Sequence, residues 1–227
     1  MAKPKFAVSE GLKGSHELIG QGIRRKRQEA GLSLAVLAKQ VGLAVSTMSK
    51  IETGKISTTF ERLDAIGRAL GADLAEFLQE EGGIKRENVI PPSPHGTRRS
   101  ITRGGEGGHV DAGRYLNVYH AIDLLHKKGQ PLFAEVLVDN IEDFGRFVSH
   151  PGEEYNYIIE GELEFHTKVY QPVTLKAGDS IYFDAEMEHA HIKVGDTPCR
   201  LVAVLMPRSD GDGAAHLHID VTRRSES

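Results

Sequence analysis

Three residues with metal-binding side chains stand at informative spacings in the second half of the chain. His150 and Glu154 are four residues apart, and His189 follows the apolar segment 178–183. Side chains of an extended segment alternate between its two faces, so His150 and Glu154 point to the same side. If a later strand returns antiparallel, His189 joins them. Two imidazoles and one carboxylate suit Fe(II), Mn, Ni or Zn and leave coordination positions open for water or a ligand.

This group of side chains admits three interpretations. In the first, His150, Glu154 and His189 hold one divalent transition metal. In the second, no metal is bound and the polar cavity binds an organic effector through the same residues and Tyr157. In the third, the carboxylate and the imidazoles simply hydrogen-bond to each other in a satisfied interior. All three stay open, because a cluster of titratable groups is only a probabilistic sign of function.

Short apolar strands surround these residues and are separated by Gly, Asp and Pro. This pattern is typical of an antiparallel barrel. The single cysteine, Cys199, excludes an intrachain disulfide and is expected to be a buried thiol. The predicted strands cover residues 115–124, 132–138, 145–148, 155–160, 163–169, 173–175, 180–183, 189–194 and 199–206, with a further strand at 216–221.

This half of the chain resembles the cupin barrel. The first cupin motif has two histidines one residue apart, a glutamate and a later glycine, and His150, Glu154 and Gly161 match it. The position of the other histidine is Val148, so the resemblance implies a metal site reduced to three ligands. The second motif matches at Gly178 and His189, and it departs from the family at Asp184, Glu186 and Lys193. The implied fold is an all-β, double-stranded β-helix.

Charge is distributed unevenly along the 227 residues. Residues 1–55 contain ten Lys and Arg against four Asp and Glu, whereas the rest contains eighteen against twenty-eight. A basic segment on an acidic body indicates a polyanion as the partner of the first part only. No apolar run approaches the roughly 20 residues that cross a bilayer, and the N-terminus lacks the apolar core of a signal peptide. We therefore expect a cytoplasmic protein without a membrane partner.

The first third of the chain has helical periodicity. The predicted helices are one that starts near 16 and ends at 29–30, then 34–41, 45–52, 60–70 and 74–78. Ser33 is expected to cap the second helix, and Gly42 provides the turn to the third. The third helix buries Met48 and Ile51 and leaves a polar outer face. Two short helices joined by a Gly-containing turn are what a reader of the DNA major groove requires.

Residues 37–42 (Leu-Ala-Lys-Gln-Val-Gly) and 48–54 (Met-Ser-Lys-Ile-Glu-Thr-Gly) resemble the lambda-repressor-like, or XRE, helix-turn-helix family. The resemblance implies an all-α bundle and a structural ion pair between Arg27 and Glu52. It also implies a set of DNA contacts. These are base-edge contacts by Val45, Ser46, Thr47 and Lys50 and phosphate contacts by Ser49 and Lys55. The chain departs from the family at Ala44, where a capping Ser or Thr is usual, and at Leu34.

The predicted organisation has two domains, the helix-turn-helix domain (16–79) and a cupin sensor domain (111–222). A flexible arm (1–15) precedes the first domain, and a Gly/Pro-rich linker (80–110) joins the two. This order resembles that of XRE–cupin transcriptional regulators. The resemblance implies sequence-specific binding of double-stranded DNA at a near-palindromic operator, a small-molecule effector in the cupin, and a homodimer.

Two enzymatic interpretations compete with the regulator. Hydroxypropylphosphonate epoxidase has a similar architecture, with a helical domain before a non-haem iron cupin and the same His-x-x-x-Glu spacing. His150, Glu154 and His189 match its ligand set, and Val148 is no objection to it. The other alternative is a metal-independent cupin isomerase that uses the helical domain to dimerise. The polar, basic third helix favours the regulator, since an enzyme has no reason to retain it.

Overall fold

The computed structural model describes residues 15–56, 58–78, 97–125 and 127–206. They form a helical N-terminal part followed by two β-sheets. The arm at 1–14, most of the predicted linker and the predicted strand at 216–221 lie outside the described residues, as do His216 and His218. The fold class expected from the sequence, a helical bundle followed by a β-rich cupin domain, is confirmed.

All five predicted helices are present. They are α1 (Ser15–Glu29), α2 (Leu34–Gln40), α3 (Val45–Glu52), α4 (Phe60–Leu70) and α5 (Leu74–Phe77). The Ser33 side chain accepts a hydrogen bond from the Val36 amide at 3.2 Å, so it caps α2 as expected. Thr59 occupies the cap position of α4, but its hydroxyl makes no capping hydrogen bond.

Helices α2 and α3 have the geometry of a helix-turn-helix. Gly42, at φ +68°, provides the turn between them, and the two helix axes are bent by 109°. Met48 and Ile51 lie on the inner face of α3 and are buried. Among the described helices, none alone is long and apolar enough to cross a bilayer; α2 and α3 pass that test of length and composition only when taken together as a bent pair.

The C-terminal part consists of two antiparallel sheets. Its elements are β1 (Gly108–Asp111), β2 (Tyr115–Tyr119), β3 (Gln130–Val136), α6 (Ile141–Phe144), β4 (Glu153–Glu160), β5 (Glu162–Thr167), β6 (Val173–Lys176), β7 (Ser180–Asp184), β8 (His189–Val194) and β9 (Cys199–Met206). The larger sheet has the order β1-β2-β3-β9-β4-β7 and the smaller one β6-β5-β8. Cys199 is fully buried, as predicted, and burial raises the pKa of its thiol to about 11.

Several elements differ from the sequence prediction. Strand β1 lies within the stretch predicted as linker, and β2 ends at Tyr119 instead of reaching residue 124. The strand predicted at 145–148 is absent. Asn140 accepts a hydrogen bond from the Asp143 amide at 2.8 Å and so begins α6, which Gly145 ends at φ +70°. Only Val148 then pairs with a strand residue, in a single bridge to His189.

The two parts of the molecule contact each other directly. His16 on α1 donates from Nε2 to the Asp111 carbonyl at 2.7 Å. A Cβ atom on Gly108 would lie 2.5 Å from a methyl carbon of Leu78, so the Leu78 side chain packs directly onto the backbone of β1 and would have to move to admit a side chain at position 108. The helical part therefore packs against the first strand of the barrel, and its apolar core is continuous with that of the barrel.

Candidate functional site

The barrel brings His150, Glu154 and His189 together, as the sequence predicts. His150 Nε2 lies 3.1 Å from Glu154 Oε2, and His189 Nε2 lies 3.9 Å from the same oxygen. The expected antiparallel return is supplied by Val148 and His189, whose amides donate to each other's carbonyls at 2.9 and 2.8 Å. All three side chains are buried. We call this group the triad.

A backbone carbonyl fixes the orientation of one imidazole in the triad. His189 Nδ1 lies 2.8 Å from the Met187 carbonyl oxygen, which can only accept, so Nδ1 carries the proton. The other nitrogen, Nε2, faces Glu154. Histidines that bind metals are usually held in this way by a hydrogen bond from the second ring nitrogen.

The surroundings keep Glu154 ionised. Burial by itself raises the pKa of Glu154, but the hydrogen bond to His150 and the charges of three nearby imidazoles outweigh burial and hold this pKa below its ordinary value. The third imidazole is His191, whose pKa burial lowers to about 4. His191 is therefore neutral near pH 7, held by Tyr115 Oη at 3.1 Å and by Asn156 Nδ2 at 3.0 Å.

The donor set of the triad fits a first-row divalent metal. The three ligand atoms all lie within 4.8 Å of one another. With metal–ligand bonds of about 2.1 Å, neighbouring ligand atoms stand about 3 Å apart, which the His150–Glu154 pair already matches. Small movements of His189 would complete the set. A metal here would keep open positions and would supply Lewis acidity and a binding point for oxygen or nitrogen donors.

The triad lies at a cavity with an interior volume of about 70 Å³. This is several times the roughly 10–15 Å³ that one water molecule requires, so the cavity has room for a small ligand. Its described lining is mainly apolar. The lining residues are Thr59, Ala112, Arg114, Tyr115, Asn117, Tyr119, Leu132, Ala134, Val148, His150, Glu154, His189, His191, Leu201, Ala203 and Leu205.

Two placements differ from the sequence interpretation. Tyr157 was expected in the effector pocket, but it is 42% exposed and does not line the cavity. It stands an odd number of residues from Glu154 on β4, so its side chain points to the opposite face. Conversely, His191 is not among the predicted site residues, but it lines the cavity. It follows His189 by two residues on β8, and the same alternation could have identified it.

The residues predicted to contact DNA lie on the outer side of α3 and just beyond it. Val45 is 48% exposed, Ser46, Lys50 and Lys55 are exposed, and Thr47 and Ser49 are half-buried. Ala44 at the cap of α3 provides no side-chain hydrogen bond, as its methyl group requires. The surface is thus open to a partner, in the arrangement that a helix inserted into the major groove requires.

The predicted ion pair that supports α3 is present. Arg27 donates from Nε to Glu52 Oε1 at 2.6 Å and from Nη2 to Oε2 at 2.9 Å. Its Nη1 donates to the Leu32 carbonyl at 2.8 Å. This bidentate hydrogen bonding raises the pKa of Arg27. The pair therefore ties α1 to the end of α3 and to the turn before α2.

Comparison with known families agrees with this geometry. A helix-turn-helix domain model matches residues 18–78, and a cupin domain model matches residues 137–205. The chain thus combines an XRE-like helix-turn-helix domain with a C-terminal cupin domain.

Among individual proteins, the chain is 24% identical to the HTH-type transcriptional regulator PuuR of Escherichia coli (strain K12), over 83% of this chain and 94% of the regulator. It is also 24% identical to the (S)-2-hydroxypropylphosphonic acid epoxidase of Streptomyces wedmorensis, over 80% of this chain and 92% of the enzyme. The crystal structure of an HTH_3 family transcriptional regulator from Vibrio cholerae has a similar fold, with a TM-score of 0.55 at 18% identity, over 85% of this chain and 97% of that chain.

Proposed function

We propose that this protein is a sequence-specific DNA-binding transcriptional regulator whose cupin domain binds a small-molecule effector. The observation that carries the proposal is the outer face of α3, whose polar side chains are open to solvent on a helix-turn-helix. Val45, Ser46, Thr47 and Lys50 contact base edges, and Ser49 and Lys55 contact phosphates. Similarity to the regulator PuuR over most of both chains supports the same conclusion.

A homodimer would place two copies of α3 on a near-palindromic operator of double-stranded DNA. Half-sites one helical turn apart match the two-fold symmetry of such a dimer. The effector binds in the cavity at the triad and favours one relative placement of the DNA-binding domains. Operator affinity changes only as far as the effector discriminates between those placements.

The test is selection of DNA sites from a randomised pool by the purified protein, followed by binding measurements on the selected site. We expect a near-palindromic sequence whose binding weakens steeply with salt, because Lys50 and Lys55 displace counterions. Lys50→Ala should reduce affinity for the selected site by about 5- to 150-fold, the range of about 1–3 kcal/mol for a base contact. Lys128→Ala, which removes an exposed lysine from the barrel, should have little effect. Retardation that ignores sequence, or none, would overturn the proposal.

A second candidate function is oxidative catalysis at the triad. The specific observation in its favour is the set of two histidines and one glutamate with open positions, in a chain similar to an epoxidase over most of both lengths. His150, Glu154 and His189 would hold iron, and the cavity would admit substrate. This candidate requires a tightly held transition metal in the purified protein and oxygen or peroxide consumption with some substrate. Elemental analysis without such a metal would exclude it.

A further inference from the structure

Besides the triad, His191 and two tyrosines, three further polar side chains line the cavity. Arg114 precedes β2, Asn117 lies within β2, and Thr59 comes from the helical domain. An otherwise apolar wall makes each of them conspicuous, since buried polar groups normally have a hydrogen-bond partner. Together they indicate which kind of ligand the cavity accepts.

Arg114 supplies a positive charge at the cavity. Its guanidinium carbon lies 4.3 Å from the centroid of the Phe144 ring, which also packs edge-on against Tyr115. The side chain is half-buried, and no carboxylate among the described residues forms an ion pair with it. A guanidinium held on an aromatic face without a carboxylate partner is well placed to bind an anionic group with two parallel hydrogen bonds.

Asn117 provides a buried amide without a partner. It is only 6% exposed and shares a strand face with Tyr115 and Tyr119, which line the same cavity. Its side chain makes no hydrogen bond to any of the residues that the structure describes. Because Asn117 lines the cavity, its amide can hydrogen-bond to a polar group bound there.

Thr59 brings the DNA-binding domain to the cavity. It stands at the N-terminus of α4, a helix of eleven residues, and its hydroxyl is not used to cap that helix. The first amides of α4 therefore have no side-chain acceptor at this cap. The N-terminal end of a helix carries partial positive charge and attracts anions. The same end of the cavity thus combines a helix terminus with a free hydroxyl.

The charge of the lining favours the same kind of ligand. Glu154 is the one carboxylate among the described lining residues, and the imidazoles of the triad already surround it. A divalent metal on the triad would add further positive charge. An anion would compensate Arg114 in surroundings of low dielectric constant, whereas a cationic ligand would have no carboxylate left to pair with.

We propose that the effector is a small organic anion whose acid group is bound by Arg114 and Asn117 and contacts Thr59 at the start of α4. The proposal rests on the cavity being the effector site and names its ligand class. Its apolar part lies against the aliphatic wall, in reach of the triad. Because Thr59 belongs to the helical domain, the anion contacts both domains at once, and its presence is transmitted to the domain that carries α3.

The test uses carboxylates of three to six carbons, with the amides and amines of equal chain length as matched probes. Binding to the full-length protein is measured by calorimetry and thermal shift, both after chelator treatment and after loading with Zn²⁺. We expect at least one carboxylate to bind in preference to its amide and amine. Arg114→Gln should lower the affinity for that carboxylate by about 10- to 100-fold, as expected for loss of hydrogen bonds to a charged group. Arg146→Gln, which removes an exposed arginine of the same domain, should leave the affinity unchanged.

Two further variants separate ligand binding from transmission to the DNA-binding domain. Asn117→Leu should weaken carboxylate binding. Thr59→Val should reduce the effect of the carboxylate on DNA binding more than it reduces the affinity for the carboxylate. Equal binding of acids, amides and amines, or an Arg114→Gln protein that binds the acid as wild type does, would overturn the proposal. Site-specific DNA binding by the same Arg114→Gln protein shows separately whether the proposed regulatory function holds, because Arg114 is remote in sequence and function from α3.

Discussion

Among the described residues, each half of the molecule contains one buried glutamate, and the two are held in different ways. Glu52 in the helical domain and Glu154 in the barrel are each 6% exposed. Both oxygens of Glu52 accept from one arginine, Arg27. Glu154 instead has two imidazoles nearby, at 3.1 and 3.9 Å, and no arginine or lysine within ion-pair distance among the described residues.

The difference separates a carboxylate that is compensated within the chain from one that is compensated incompletely. Glu52 is paired with a cation of the same chain, so no further partner is needed there. Glu154 is compensated only by imidazoles, whose charge depends on protonation and whose type also suits metal binding. The barrel thus keeps an ionised carboxylate inside a cavity, in the arrangement that a metal ion would complete.

The largest expected effect follows from breaking the compensated pair. Arg27→Ala leaves the Glu52 carboxylate buried without a partner and removes the hydrogen bond to the Leu32 carbonyl. Breaking one side of a buried pair costs about 3–5 kcal/mol, so the free energy of unfolding of the helical domain should fall by that amount. Urea denaturation followed by circular dichroism at 222 nm measures it.

Arg68→Ala is the matched control for this variant. Arg68 pairs with Asp64 at 3.0 Å across one helical turn of α4, but its side chain is largely exposed. An exposed pair of this kind contributes about 0.3–0.5 kcal/mol. If Arg27→Ala and Arg68→Ala lowered the free energy of unfolding equally, Glu52 would not be the strongly stabilising buried partner that the comparison with Glu154 assumes.

A smaller effect is expected at the incompletely compensated glutamate. In chelator-treated protein, Glu154→Gln should change the free energy of unfolding by less than about 1 kcal/mol, since an amide can still hydrogen-bond to the imidazole. The increase in the free energy of unfolding on adding metal, which we call the metal response, should be lost. At a metal concentration one hundred times the dissociation constant, wild type should gain about 2.7 kcal/mol, and the variant should gain almost nothing.

Glu164→Gln provides the control for the triad. Glu164 on β5 is also hydrogen-bonded to a histidine, with His166 Nε2 at 2.7 Å, but the pair lies outside the cavity and the carboxylate is partly exposed. Its metal response should equal that of wild type. A wild-type protein that gains no stability from Fe²⁺, Mn²⁺, Ni²⁺ or Zn²⁺ would exclude the first interpretation and leave the two that bind no metal.

The parts that could be predicted from sequence are those with a local signature. The spacing of the cupin motif pairs His150 with Glu154, although His150 precedes β4 across a bend that contains Gly152 at φ +104° and does not lie on the strand. The helix-turn-helix motif locates α3. Alternation would also have excluded Tyr157 from the cavity. The contribution of Thr59 has no such signature, because it arises where the helical domain packs against the barrel, and no spacing along the chain encodes that contact.

The same reasoning explains why the predictions for two elements of the barrel are wrong. An apolar stretch such as 145–148 resembles a short strand by composition, but the Asn140 cap and the turn at Gly145 direct the chain into α6. Strand β1 contains a single apolar side chain, Val110, and it forms because β2 pairs with it along its whole length. Pairing of this kind depends on tertiary contacts, which override local preference.

The smallest expected effect concerns the position where the cupin motif lacks its histidine. Val148 lines the cavity and pairs with His189 through the backbone, so an imidazole at position 148 would enter the cavity beside the triad. Val148→His should add a fourth ligand and tighten metal binding about tenfold, or ~1.4 kcal/mol. Competition with a metallochromic chelator measures this change.

Val148→Leu serves as the control, since it changes the volume at this position without adding a donor. The fourth imidazole would also occupy a coordination position that is otherwise open to a ligand. A Val148→His protein should therefore hold its metal more tightly while responding less to any effector that coordinates it. Unchanged metal affinity in that variant would show that the triad does not bind metal at this end of the cavity, and Glu154 would then differ from Glu52 only in the identity of its hydrogen-bond donors.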